Sequence, residues 1–146
     1  LGKAKDNNAS ASLGPFVRLF DGKFTLGDIK AADISLEVKG EDGFVLDGVS
    51  NMAQISRTPE SLVASAIGRH HQYPDGFVLY LGTMFAPVQD RDAPGMGFTH
   101  HEGDVVTISS ERLGALQNTV VPSAQAEPWT FAGGALMRNL SSRGLL

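Results

Sequence analysis

Glycine interrupts this chain so often that its apolar residues fall into short pieces. Seventeen glycines are spread over 146 residues, and Gly40 and other punctuating residues cut every hydrophobic stretch short. No run approaches the roughly 18–20 apolar residues that a membrane-spanning helix needs. Short apolar runs separated by turn residues point to many strands and few helices. Ala32–Val38 alternates apolar and polar residues with a period of two, the pattern of a half-buried strand. Gly40–Gly43 supplies a turn and Phe44–Gly48 a second strand, so residues 32–48 are expected to form a β-hairpin.

Further strands are expected over Pro15–Phe20 and Phe77–Leu81, the latter with the composition of a strand buried on both faces. Glu102-Gly103-Asp104 reads as a turn into Val105–Ser109, with Leu113–Val121 pairing to it. Ala86–Met96, rich in Pro, Gly and Asp, reads as a long loop. The strongest helix signal covers Thr58–Ile67, with Thr58 as N-cap, Pro59 in the first helical position and Gly68 as the stop. Ala132–Leu140 is a second, weaker helix because Gly133 and Gly134 oppose it. The expected fold is α+β and predominantly β, with residues 14–121 mostly in a mixed, rolled sheet.

With 42% hydrophobic and 19% charged residues, the chain suits one packed domain rather than a disordered segment. A net charge of −4 with scattered Lys and Arg gives no basic stripe for nucleic acid. The absence of Cys excludes a disulfide scaffold, a thiol nucleophile and a Cys-ligated zinc site. Leu1-Gly2-Lys3-Ala4-Lys5 lacks the layout of a signal peptide, and a cytoplasmic protein is expected. Because the chain opens on Leu rather than Met, it reads as part of a longer polypeptide.

Few residues carry chemistry on spacing alone. Lys3 and Lys5 precede a polar stretch and could hold an oxyanion or move a proton, but spacing favours two exposed lysines on a solvated loop. Gly82-Thr83 either lines a pocket with a backbone N–H and a hydroxyl or simply closes a tight turn. His70-His71 and His100-His101 lack metal-clamp spacing and read as surface or locally satisfied histidines. There is no Glu-x-Glu pair, no EF-hand and no Gly-x-Ser-x-Gly elbow, and Gly95-Met96-Gly97 is too short for a dinucleotide fingerprint.

Taken in order, four segments resemble the fumarylacetoacetate hydrolase superfamily. Leu13-Gly14-Pro15-Phe16 is similar to its "LGPW", Tyr80-Leu81-Gly82-Thr83 to "LTGT", Glu102–Ile108 to "PGDVVEI" and Leu113–Val120 to "IGTLRNPV". Lys3–Ser10, Arg69–Gly76 and Ala86–Gly95 look like the superfamily's dehydratases of 2-keto-3-deoxy pentonates. The resemblance covers essentially all of residues 1–146, which would form the C-terminal portion of the catalytic domain.

The resemblance implies a small 2-oxo acid substrate, a homo-oligomer and a divalent metal, magnesium being usual. The metal is held by a Glu-x-Glu pair and an Asp that would all precede Leu1, so no metal ligand is expected within the chain. The family's active lysine stands nine positions before the Gly of its "LGP", which lands on Lys5, with Lys3 as the rival. Thr83 matches the pocket threonine of the "GT" pair, beside Gly82. Where many members carry a threonine this chain has Ala9, with Ser10 next to it. The implied reaction removes a C3 proton and the C4 hydroxyl from a 2-oxo acid through a metal-stabilised enolate. A carbon–carbon hydrolase of acylpyruvates is the alternative, and a non-catalytic piece completing a larger fold is a third reading.

Overall fold

The computed structural model describes residues 10–14 and 16–146. The chain divides into two compact units, residues 12–120 and residues 1–11 with 121–146. Within residues 12–120, β1 (Asp33–Lys39), β2 (Val45–Asn51), β3 (Val105–Ser110) and β4 (Gly114–Thr119) form one sheet in the order β2-β1-β3-β4. Every pairing is antiparallel, which replaces the mixed sheet expected from the sequence.

The expected hairpin is present. Gly40 N–H donates to the Phe44 carbonyl at 2.9 Å, and the register runs from Lys39 opposite Val45 to Asp33 opposite Asn51. The second hairpin, β3–β4, turns before Gly114, whose φ of +84° favours a residue without Cβ. Its entry is the anticipated turn, with Gly103 at φ +87°.

Period-two alternation sorts the sheet into two faces. Leu36, Val38, Leu46, Val106, Ile108 and Leu116 share one face across the register, and Val38 and Leu46 are fully enclosed. Ser35, Glu37, Lys39, Asp47, Thr107 and Gln117 share the other, where Lys39 pairs with Glu37 at 2.8 Å and Gln117 donates to the Thr107 hydroxyl. Gly48 lies opposite Leu36 on the apolar face, and the Phe85 ring sits where its Cβ would be. A one-carbon side chain there would displace the ring.

Helix α2 (Pro59–Ala66) forms where expected, and the Thr58 hydroxyl accepts from Ser61 N–H at 3.2 Å. A shorter helix, α1 (Leu26–Lys30), went unanticipated, although Thr25-x-x-Asp28 is its start signal. The Asp28 carboxylate accepts from Thr25 N–H at 2.7 Å and from the Thr25 hydroxyl at 2.9 Å. In the other unit, α3 (Gly133–Ser142) forms over most of the expected second helix despite its two leading glycines, with Ala132 as its extended N-cap.

Two expected strands are not strands. Pro15 lies outside the described residues, and Phe16–Phe20 joins no ladder, with Phe16 91% exposed. Just beyond it, the Asp21 carboxylate accepts from the amides of Lys23 and Phe24 and closes a local turn over residues 21–24. Phe77–Leu81 is also irregular, and Val78 and Tyr80 are exposed rather than buried on both faces. Gly76 and Gly82 bracket it at φ +83° and +94°, and its one ring contact is local, Phe77 against Tyr73 at 4.8 Å. Residues 14–121 are therefore less β-rich than expected. Among the described residues, no helix is long and apolar enough to cross a membrane.

Candidate functional site

Thr83 lines a cavity of about 300 Å³ together with Ser50, Gln54, Ser56, Leu81 and Met84, and Ile55 completes the wall. Local structure fixes both sides. Ser50 is the penultimate residue of β2, and Gln54 ends the 3₁₀ turn Met52–Gln54. That turn is held by the Asn51 side chain, which accepts from Ala53 N–H at 2.8 Å and donates to Asp33 at 2.7 Å. Met52 is buried beneath it. On the opposite side, Phe85 seats the end of the 81–85 segment over Gly48. Gly82, at φ +94°, precedes the cavity threonine and is not itself part of the wall.

The cavity carries no formal charge. Its polar side chains are three hydroxyls and one carboxamide, and none of the four bonds to another group among the described residues. Arg57, the nearest cation in sequence, is directed onto α2. It donates to the Ser61 hydroxyl at 3.0 Å and carbonyl at 3.1 Å and to the Ser65 hydroxyl at 2.5 Å.

Of the other predicted site residues, Lys5, its rival Lys3 and Ala9 lie outside the described residues. Ser10 is exposed and belongs to the unit formed by residues 1–11 and 121–146, whereas Gly82 and Thr83 belong to the other. His70 and His71 sit in an exposed turn closed by reciprocal backbone bonds between Gly68 and His71.

A second polar centre was not visible in the sequence. Arg91 and Asp104, 13 positions apart, form a buried bidentate pair with contacts of 2.5 and 2.8 Å. Their side chains are 2% and 1% exposed. Arg91 also reaches Asp42 at 3.1 Å, and its guanidinium lies 4.6 Å from the centre of the Phe44 ring. Asp104 takes a further bond from His101 N–H at 2.9 Å. The Arg91 guanidinium holds the Asp104 carboxyl down to about 2, against the penalty of burial. His101 bridges Asp92 at 3.0 Å and Asp42 at 3.6 Å, a locally satisfied histidine as expected, and His100 faces Asp104 at 3.5 Å. Nothing in the spacing of Asp42, Arg91 and Asp104 announces that they meet; only the sheet brings the hairpin turn beside the start of β3.

The donor chemistry of the described residues does not suit a metal. No group of three or more His, Asp or Glu side chains among them could hold one. The best-placed carboxylates are already engaged. Asp104 and Asp42 face Arg91, Asp28 faces Arg112, and Asp90 accepts from the Gly95 and Gly97 amides at 2.7 Å each.

The chain is similar in sequence to a curated protein. It is 28% identical over 120 residues to the "Probable 2-keto-3-deoxyxylonate dehydratase" of Haloferax volcanii, an alignment covering 82% of this chain and 38% of that protein. The chain thus spans well under half the length of the relative it matches. No protein-family profile and no solved structure matches it. The similarity points the same way as the resemblance carried by the sequence motifs.

Proposed function

We propose that this chain is part of a lyase of the fumarylacetoacetate hydrolase superfamily that dehydrates a 2-keto-3-deoxy pentonate. The observation that carries the reading is the alignment with the Haloferax protein, which extends through 82% of the chain rather than one motif. The cavity at Thr83 is consistent with it, because its hydroxyls and carboxamide can hydrogen-bond the hydroxyls of such a substrate.

In this reading the reaction removes a proton from C3 and the hydroxyl from C4 as water, and the product settles as 2-oxoglutarate semialdehyde. Gly82 N–H and the Thr83 hydroxyl orient the substrate carboxylate. The Lys5 ammonium stabilises negative charge developing on the oxo acid or relays the proton, and the Ser10 hydroxyl contacts substrate. The divalent metal implied by the resemblance finds no donor set among the described residues, and no step is assigned to it. The same reading makes the enzyme a cytoplasmic homo-oligomer.

The test is an assay of the full-length protein with a 2-keto-3-deoxypentonate and, separately, an acylpyruvate. Formation of the semialdehyde from the first is expected. Activity on the acylpyruvate alone would establish a carbon–carbon hydrolase, and activity on neither would leave the chain as a structural piece. Lys5→Met is expected to lower kcat about 10²-fold or more, the usual scale for a proton-transfer or charge-stabilising group.

A further inference from the structure

We propose that Phe85 and Gly48 are positioning residues that fix where the Thr83 hydroxyl stands, the ring of one filling the space that the other leaves by having no Cβ. The proposal rests on the dehydratase reading for the task of Thr83 at the substrate, whereas the placement of Thr83 is a property of the fold.

The first ground is the glycine itself. Gly48 lies within β2, opposite Leu36 of β1. Its φ is outside the left-handed region, so the backbone there does not require a residue without Cβ. Glycine inside a strand weakens it and often marks a place where another group comes close. Here that group is the Phe85 ring. A Cβ on Gly48 would lie 2.6 and 2.7 Å from the ring atoms Cε2 and Cε1, well inside van der Waals contact.

The second ground is what else holds the segment. Among the described residues, no hydrogen bond involves residues 81–85, so packing sets their course. Phe85 is the largest side chain among them and is half-buried. The fixed points on either side lie further along the chain, the Tyr73–Phe77 ring pair before it and buried Arg91 after it. Thr83 is two residues from the ring, at most about 7 Å of chain.

The third ground is register. Gly48 and Ser50 project from one face of β2, two residues apart. Phe85 sits on the first, and Thr83 shares a cavity wall with the second. The seat of the ring therefore sets where Thr83 stands relative to the end of β2. Misplacing a binding group by about 1 Å can cost about 10²-fold in rate.

The experiment uses the full-length protein and has two arms. In the first, KM and kcat are measured with a 2-keto-3-deoxypentonate. Thr83→Val, Gly48→Ala and Phe85→Ala are each expected to raise KM about tenfold or more with kcat little changed, the scale of one hydrogen bond to a carboxylate. In the Thr83→Val background, Gly48→Ala is expected to add little, because its effect runs through the hydroxyl already removed. Phe85→Leu, which shortens the reach of the side chain, is expected to recover most of the loss when combined with Gly48→Ala. In the second arm, the backbone N–H order parameter of Thr83 is measured by NMR without substrate. It is expected to fall from about 0.85 to below about 0.6 in Gly48→Ala and Phe85→Ala. Val49→Ala, on the opposite face of β2, is expected to leave it unchanged. An order parameter unmoved in Gly48→Ala and Phe85→Ala overturns the proposal whatever reaction the protein performs. Losses in the first arm that multiply with that of Thr83→Val overturn it while leaving the dehydratase reading intact. A lowered order parameter in a protein that turns over no 2-keto-3-deoxypentonate upholds the placement of Thr83 and sinks that reading. Should Gly48→Ala not fold, Phe85→Ala, which leaves the sheet backbone unchanged, gives the outcome alone.

Discussion

Asp104 combines full burial with a charge, which two hydrogen bonds from Arg91 and one from His101 N–H offset. Removing one member of a buried pair costs about 3–5 kcal/mol where the other is left without a counter-charge, and Arg91 keeps Asp42, which places the loss at the lower end of that range. Asp104→Ala is therefore expected to destabilise residues 12–120 by that amount in urea denaturation. The same carboxyl sets an acid limit. Its folded value, about 2, lies below the ordinary aspartate value of 3.8, so its contribution is present above the latter and fades as pH falls toward the former. Stability measured from pH 5 to pH 2 should fall steeply in the wild type and more gently in Asp104→Asn. None of this was legible in the sequence. Asp104 was read there as a turn residue and Arg91 as one position in a polar loop. Thr83 was more visible, because Gly-Thr after an apolar run has a local chemical meaning. Ser50, Gln54 and Ser56 carried no signal, since a hydroxyl or amide becomes informative only when the fold turns it toward a cavity.

Elements were legible in proportion to how locally they are determined. Helix α2 has its cap and its proline in consecutive residues and forms where read, ending one residue early at Ala66 with Ile67 extended rather than at Gly68. Thr58→Ala removes the hydroxyl that accepts from Ser61 N–H and is expected to cost about 1 kcal/mol, with Thr58→Asp retaining most of the stability. Hydrogen exchange of the first turn of α2 would show the loss directly. The two hairpins were equally readable, because each turn and its flanking alternation are contiguous. The failures share the opposite property. Phe16–Phe20 and Phe77–Leu81 have the composition of strands, but a strand needs a neighbouring edge, and composition does not say whether one is available. The all-antiparallel order of the sheet was hidden for the same reason, since β1 meets β3 across more than sixty intervening residues.

For the whole molecule, the balance of buried and exposed apolar surface is uneven. Among the described residues the buried hydrophobic side chains are Phe24, Val38, Leu46 and Met52, whereas Phe16, Val17, Leu19 and Val88 are each more than 70% exposed. Apolar surface on that scale is unusual for a self-contained domain. The 146-residue chain on its own is expected to bind 1-anilinonaphthalene-8-sulfonate with a strong, blue-shifted emission. Emission no stronger than that of an ordinary closed domain would contradict this exposure. The arrangement of β2-β1-β3-β4 also dictates an order of assembly. Each hairpin can close within its own few residues, but joining β1 to β3 requires the long intervening segment to loop back, and that closure is entropically slow. Arg91 lies in that segment and grips Asp42 on one hairpin and Asp104 at the foot of the other. It is thus a non-covalent clasp at the seam between two prefabricated halves. The time the chain spends as unjoined hairpins, with strand edges open to other molecules, depends on how quickly that clasp finds its two carboxylates.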